Sequence, residues 1–541
     1  MKHFYREYIR PRRQILFTGL LVLLTALRFF LFLQTPLAGM ALEDSEDWNL
    51  LWHAWNLEQG GWLGAYNEYT LSLGIAFPFF VLLCRKLCIP FMLGTALLYT
   101  GSILVFLRAF KPLFPSRKVR GFLYLFLLYS PVMLTASTAQ RAWDLTLVPS
   151  LILLMLSLGM GLYRRRNENF ILWSAGLGLV FAFFWFLRRD NWWVLPFLLL
   201  FLGATGLSVL RSRAPKAGLR AACLLLPLVI TLAGGLGISL LNLHYYDTFR
   251  AFETADTDEE TAAQAPSPGQ LLKDTAYVAL NLSTSQTAWI DTYTGQGETD
   301  QLRFLESMTG SQVIYPNPEP LSIRGWAFPT DDSDFLEVAV TDENDQAVAY
   351  AEYENSEDVF VEYPEYASSR VCRFTITAPV TTLDGYSLTI YLNGEIADQY
   401  PLAYQAVEGD DYYLFLEDVG IYQDPVQFSS QRAAVFSQRA LFLYKILSIP
   451  LTALAAAGYL LLLALNISGR SRQKGQLLFL TGTGLTALLG IFLSCLRYVP
   501  AGKNPADYCQ GPWMLIQIFI LCSICWALRN IPGKRKRARL H

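Results

Sequence analysis

Histidine is nearly missing from this chain: four residues in 541, at positions 3, 53, 244 and 541, too scattered to suggest a histidine-rich metal cluster. Cysteine adds little. Of the eight, Cys84, Cys88, Cys223, Cys495, Cys522 and Cys525 lie in or beside apolar runs, so the C-x-x-C spacing of Cys522 and Cys525 marks neither a zinc nor a redox site. Cys372 and Cys509 stand outside those runs and could pair, but nothing in the sequence brings them together. There is no glycine-rich phosphate loop. The net charge is only −2, and basic residues gather in short groups between apolar runs, not in a patch suited to nucleic acid.

What the chain has in quantity is apolar sequence. Hydrophobic residues make up 53%, mean hydropathy is +0.30, and the apolar residues fall in runs of about 17 to 25, the length that crosses a bilayer. Eleven such segments can be drawn, at 15–33, 71–88, 90–107, 121–136, 145–163, 169–187, 192–210, 219–241, 439–465, 476–496 and 512–528. A mainly α, polytopic membrane protein is expected. The first run has a basic lead like a signal peptide, but its apolar part is longer than the usual 7 to 15 residues. It reads as a retained helix, with Arg28 snorkelling or facing protein.

Basic groups at the N-terminus, Arg108 to Arg120, Arg164 to Arg166, Arg211 to Arg220, Arg470 to Lys474 and the KRKRAR tail should be cytoplasmic, with both termini. They agree only if 71–88 and 90–107 make one net crossing. The 71–88 segment, broken by Gly74 and Pro78, is the one expected to be partial. The outer face then carries the polar stretches 43–74, 137–144, 188–191, 243–435 and 497–511. From Ala251 to Ser430 there are 33 Asp and Glu against 5 Lys and Arg, which reads as a solvated extracytoplasmic surface, not a metal array. Within it SIRGWAFP, DFLEVAVTDEND, AVAYAEYE, VCRFTITAP and YSLTIYLNGE alternate between turn residues, the pattern of a small all-β sandwich over 316–407. Its RGWAF start is similar to Gly-Trp-Ala modules of surface carbohydrate-handling proteins, but a lid or spacer with Trp326 in its core is the preferred reading.

The divisions expected are 1–242 as an N-terminal transmembrane module with an outer first loop at 35–70, 243–315 as a linker and helical region, 316–407 as the β-domain, 408–437 as a return segment, 438–530 as C-terminal transmembrane helices and 531–541 as a basic tail. The first loop is the richest in chemistry. Glu43, Asp44, Glu46 and Asp47 precede a helix on which Trp48, Leu51, Trp52 and Trp55 form one aromatic face, while Asn49, His53 and Asn56 turn elsewhere. Acids in a helix's first turn also stabilise its positive end, and the tryptophans also suit a plain interfacial anchor.

After those acids come Trp62-Leu-Gly, Tyr66-Asn, Thr70-Leu and Gly74; LRRDNWWVLP at 187–196 supplies Arg188, Asp190, Trp193 and Pro196; Asn242 and Tyr246 close the last helix before the insertion. In order and spacing this resembles the bacterial GT-C integral-membrane glycosyltransferases, relatives of protein mannosyltransferase and of the aminoarabinose transferase of lipid A. The likeness covers about residues 10–250. Arg189 replaces an acid of that pattern, Asp247 a glycine, and Leu73 stands where relatives often carry a lysine near the donor phosphate.

The resemblance implies a GT-C helical bundle and transfer of a sugar, with inversion, from a polyprenyl-phosphate donor to a cell-envelope glycan, lipid or protein at the outer face of the cell membrane. It selects Asp47, with Glu46, as the base toward the acceptor. Arg188 and then Arg189 would hold the donor phosphate, with Asp190, Arg141, Asp144, Trp62, Tyr66 and Tyr246 around the pocket. Acids of the first loop could hold Mg²⁺ or Mn²⁺, although such ions take about six oxygens and the spacing names only two. Two other classes stay open: a non-catalytic membrane scaffold or sugar-binding protein with a degenerate site, and a transporter of lipid-linked saccharides, which would more readily show internal repeats.

Overall fold

Length sorts the apolar runs into two kinds. The computed structural model describes residues 10–35, 37, 46–67, 69–164, 169–211, 217–253, 267–280, 299–311, 313, 317–380, 385–402, 406–409, 411–424, 431–468, 474–500 and 503–530. Among them seven helical stretches are long and apolar enough to cross a membrane: Gln14–Leu33, Phe91–Ala109, Arg189–Arg211, Ala217–Tyr246, Val435–Ile467, Gly475–Tyr498 and Gln510–Arg529. Four of the eleven expected segments are shorter helices. Val148–Arg164 and Phe170–Trp185 have 17 and 16 residues, about 25 Å at 1.5 Å per residue against a hydrocarbon core of about 30 Å. Arg117–Leu128 and Ala76–Lys86 have 12 and 11. Apolarity overstated their length because the chain leaves the helix early, at Tyr129 before Pro131 and at the turn through Leu71 to Leu73.

The chain divides into two compact units, Met1–Ile314 with Gln427–His541, and Tyr315–Val426. In the first unit four helices have one end near a shared charged cluster and a basic residue at the other. Val148–Arg164 starts after Asp144, Leu195–Arg211 after Arg188 to Val194, and Gln510–Asn530 after Tyr508, while Lys474–Tyr498 ends there. Arg529 Nη1 donates to the Leu113 carbonyl at 3.3 Å, and Phe114 stacks on Trp526, so the Arg108 to Arg120 loop sits at the basic end. Ala76–Lys86 is a partial helix, about 16 Å long. Arg28 faces protein: Nη2 donates to the Met133 carbonyl at 2.8 Å, and the guanidinium lies 4.8 Å from the Phe32 ring centre.

The helix expected in the first loop is Glu46–Gln59. Its tryptophans do form one face, with Trp48 and Trp52 flanking Phe304 of the Thr299–Thr309 helix at 4.8 and 5.8 Å. The face turned into the protein carries Asp47, Leu50, Leu51 and Ala54, with Asn49 and His53 buried as well. That inward turn takes the carboxylate off the aromatic surface. Glu43 and Asp44 lie outside the described residues.

The second unit is a β-sandwich. One sheet has the order β4-β5-β1-β9-β8 and the other β3-β2-β6-β7, with β1 Asn317–Pro329, β2 Leu336–Asp342, β3 Ala347–Tyr350, β4 Glu352–Glu354, β5 Arg373–Ala378, β6 Tyr386–Leu392, β7 Glu395–Pro401, β8 Ala406–Glu408 and β9 Tyr412–Asp424. Leu321, Ile323, Val338, Val340, Ile376, Leu388, Leu414 and Leu416 fill the space between the sheets. Asn393 and Gly394, with φ of 54° and 86°, make the two-residue turn between β6 and β7 that an Asn-Gly pair favours.

Two expectations change here. The sheet does not stop at Val407, because β9 pairs with β1 from Pro329↔Tyr412 to Asn317↔Asp424; part of the supposed return segment is a central strand. Trp326 lies outside the main core. It stacks with Phe328 and Phe415 in a second cluster with Tyr363, under the Glu357–Glu362 helix. Gly325 of the same motif sits at a bulge where an added Cβ would be 2.3 Å from the Phe415 carbonyl oxygen. Cys372 and Cys509 are free and buried, the first held by Ser356 and Ser369, the second by the Pro505 carbonyl.

Candidate functional site

Four stretches far apart in sequence supply one cluster of charges. Glu46 and Asp47 open the Glu46–Gln59 helix, Arg141 and Asp144 lie in the turns before Val148–Arg164, Arg188 and Asp190 start the 3-10 turn leading into Leu195–Arg211, and Arg497, Tyr498, Lys503 and Tyr508 join the last two long helices. Four carboxylates meet four cations there.

Arg188 is the hub. Its Nη1 reaches Glu46 Oε2 at 3.2 Å and both Asp144 oxygens at 3.0 and 3.1 Å, its Nε reaches Asp190 Oδ1 at 3.1 Å, and its Nη2 donates to the Tyr498 hydroxyl at 2.9 Å. Tyr498 in turn donates to Asp190 Oδ2 at 2.6 Å and stacks on Tyr508, 3.6 Å between ring centres. Burial works against the Arg188 charge, but Asp144, Tyr498, Asp190 and Glu46 outweigh it and hold the guanidinium well above its ordinary value. Asp47 belongs to a second pair. Arg141 Nε and Nη2 donate to its two oxygens at 2.8 and 2.5 Å, and the Arg141 guanidinium lies 3.5 Å from the Trp143 ring centre.

Three carboxylates share one guanidinium, and that surplus sorts them. Burial pushes the Asp144 carboxyl up to about 7 in spite of Arg188, with Glu46 and Asp190 adding to the rise. Glu46 goes the other way. Burial would raise it, but Arg188, Lys503 and Arg141 together hold it below the usual carboxylate range. Asp507 is pushed up to about 6 by burial, with Arg141 opposing. The acids with raised pKa, the property a general base needs near neutral pH, are thus Asp144 and Asp507, not Glu46.

The remaining expected residues clamp the first loop in place. Trp62 Nε1 donates to Asn242 Oδ1 at 2.9 Å, the Tyr246 hydroxyl donates to the Gly64 carbonyl at 2.9 Å, and Tyr66 bonds Glu253. Trp62, Tyr66 and Tyr246 therefore join the loop to the end of Leu226–Tyr246 and the segment after it, apart from the charge cluster. Arg189 diverges from Arg188, its Nη1 donating to the Glu253 carbonyl at 2.8 Å. Gly74 meets the Leu187 backbone so closely that an added Cβ would be 2.0 Å from its oxygen, and Ala76 N bonds the Phe186 carbonyl at 3.1 Å. The motif's glycine thus seats the first loop on the chain leading to Arg188.

Spacing missed Arg497, Tyr498, Lys503, Asp507 and Tyr508. The available signal was their stretch, polar, flanked by two apolar runs and placed at the outer face by the charge distribution. Of the first-loop acids offered for a divalent metal, Glu43 and Asp44 lie outside the described residues. Among the described residues no three His, Cys, Asp or Glu groups are placed to hold a metal ion, and the oxygens of Glu46, Asp144 and Asp190 converge on Arg188 instead.

No family model matches the chain, and no curated protein or solved structure does either.

Proposed function

We propose that this chain is a membrane glycosyltransferase of the GT-C type, transferring a sugar from a polyprenyl-phosphate donor to a cell-envelope acceptor at the outer face. The observation that carries the reading is the Glu46 carboxylate lying between two cations, 3.2 Å from Arg188 and 3.5 Å from Lys503 Nζ, one turn residue away from the Asp47–Arg141 pair. Acidic and basic groups from separate segments meet next to long apolar helices, which is where a lipid-borne phosphate and a polar acceptor would meet.

In this reading Asp47 takes the acceptor proton as the acceptor oxygen attacks the anomeric carbon from the side opposite the phosphate. Arg141 fixes the carboxylate plane, and each Asp47 oxygen keeps a second lone pair for the acceptor hydroxyl. Arg188 is saturated by carboxylates, so it meets the departing phosphate only by exchanging one of them. Lys503, about half exposed, has donors to spare. In this reading it would take the part of the lysine that the resemblance expects near Leu73. Asp144, whose carboxyl burial pushes up to about 7, is the alternative proton carrier.

The test is release of polyprenyl phosphate from a panel of polyprenyl-phosphate hexoses by the purified full chain supplied with cell-envelope lipid, glycan and protein as acceptors, with and without Asp47→Asn. Release that needs Asp47 supports the reading; its absence across the panel counts against it. A second reading is favoured by the same geometry: a network in which every carboxylate has a cation also describes a non-catalytic membrane scaffold. Binding of a lipid-linked sugar without turnover would select it.

A further inference from the structure

At the basic end of the first unit, away from the charged cluster, the helices Arg10–Leu33, Phe91–Ala109 and Arg117–Leu128 enclose a groove of about 760 Å³, within the range of about 300 to 1,000 Å³ usual for small-molecule sites. One end is cationic, lined by Arg108, Lys111, Arg117 and Arg120. Arg117 is anchored at the rim, Nη1 to Gln14 Oε1 at 3.1 Å and Nη2 to Thr18 Oγ1 at 2.9 Å, and Arg120 Nη1 donates to the Phe114 and Pro115 carbonyls at 2.9 Å each. Arg108 and Lys111 are exposed, and the sequence holds no acid between 108 and 120.

From this rim the walls become apolar. They run along the first helix from Phe17 to Phe29, twelve residues or about 18 Å at 1.5 Å each, close to the depth of one leaflet, about half of a 30 Å hydrocarbon core. Part-way along, the Thr25 and Tyr124 hydroxyls bond each other at 2.7 Å across two of the three helices. Retention of positive charge on cytoplasmic loops explains cations in the loop; it does not explain a leaflet-deep trough directly beneath them.

We infer that this groove is a binding site for an anionic glycerophospholipid, its phosphate held by Arg108, Lys111 and Arg117 and an acyl chain laid between the three helices. Charge complementarity selects the anionic headgroup over a zwitterionic one, and groove depth selects a bilayer lipid over free phosphate. The site is independent of any sugar transfer.

The test is native mass spectrometry of the purified full chain exchanged into detergent with phosphatidylglycerol, phosphatidylcholine or inorganic phosphate. Phosphatidylglycerol should be retained in preference to the other two. Arg108→Gln with Lys111→Gln, both on exposed side chains, should lower that preference by roughly 30-fold, about fivefold for each cation. Ala26→Phe, which fills the groove and leaves the charges intact, should also lower retention. Lys118→Gln is the control, since Lys118 is on the same loop but does not line the groove. Equal retention of the two lipids, retention of free phosphate alone, or a loss with Lys118→Gln as large as with the groove variants would overturn the assignment.

Discussion

Asp47 and Arg141 form a two-pronged ion pair, Nε to Oδ2 at 2.8 Å and Nη2 to Oδ1 at 2.5 Å, across 94 residues of sequence. Both side chains are about nine-tenths buried. A carboxylate so held is fixed in orientation, and its charge is matched by the guanidinium.

For Asp47→Asn a fall in turnover of about 10² to 10⁴ is expected, with donor affinity changed little. Arg141→Lys keeps the charge and loses the fork, so it should lower turnover less while lowering thermal stability. Turnover and melting temperature of both variants decide the matter. If both melt earlier and keep full activity per folded molecule, the pair is structural and the base lies elsewhere.

The Asp144 carboxyl gives a dependence on pH. An aspartate ionises near 3.9 in an unfolded chain, whereas burial holds this one up to about 7 in the folded protein despite Arg188. Between those values the folded state binds more protons than the unfolded state, so this group makes stability fall as pH rises through the window. Asp507, raised to about 6, acts in the same direction. Melting curves in detergent from pH 4 to 8 should show a shallower decline for Asp144→Asn than for the native chain. Parallel profiles would mean that Asp144 ionises normally.

Lys503 has one long contact to Glu46 and is about half exposed. Removing it should therefore leave stability within about 0.5 kcal/mol. Phosphate is present before and after transfer, so Lys503→Gln should raise KM for the lipid donor severalfold with a smaller change in kcat. An unchanged KM would remove Lys503 from the donor site.

Gly74 tests whether the clamp matters to the site it supports. A Cβ there would fall 2.0 Å from the Leu187 oxygen and 2.5 Å from that of Phe186, and backbone cannot move aside as a flexible side chain can. Gly74→Ala should therefore displace the turn that carries Arg188, reducing both stability and activity although neither atom of the clash is in the cluster. Native activity in a fully folded Gly74→Ala protein would show the two loops to be uncoupled.

The parts legible in the sequence were those fixed by local pattern. The Glu46–Gln59 helix follows from its apolar spacing, the late start of the 76–86 helix from Gly74, with Pro78 tolerated in its first turn, and the β6–β7 hairpin from Asn393-Gly394. Pairing choices within the cluster were not legible. Glu46 and Lys503 are 457 residues apart and Arg188 and Tyr498 are 310 apart, and only packing of whole helices decides which acid meets which cation. Asp47 was chosen by spacing, yet Asp144 and Asp507, with no motif of their own, are carboxyls that burial raises. Strand β9 was missed because the turn residues Glu408 to Asp411 resemble a domain boundary, although Leu414 and Leu416 alternate inward beyond them.

That missed strand yields the last prediction. The second unit closes its own core between two sheets, and β9 is central, flanked by β1 and β8. A fragment ending at Val407 lacks the partner of β1 along most of its length and the inward Leu414 and Leu416. It exposes the open edge of β1 to solvent, an arrangement that favours aggregation. Expressed alone, residues 315–426 should unfold in one cooperative transition by circular dichroism, whereas 316–407 should show no such transition or should aggregate. If the shorter fragment melts as cooperatively as the longer, β9 is an addition to a sheet that is complete without it, and the boundary belongs at Val407 after all.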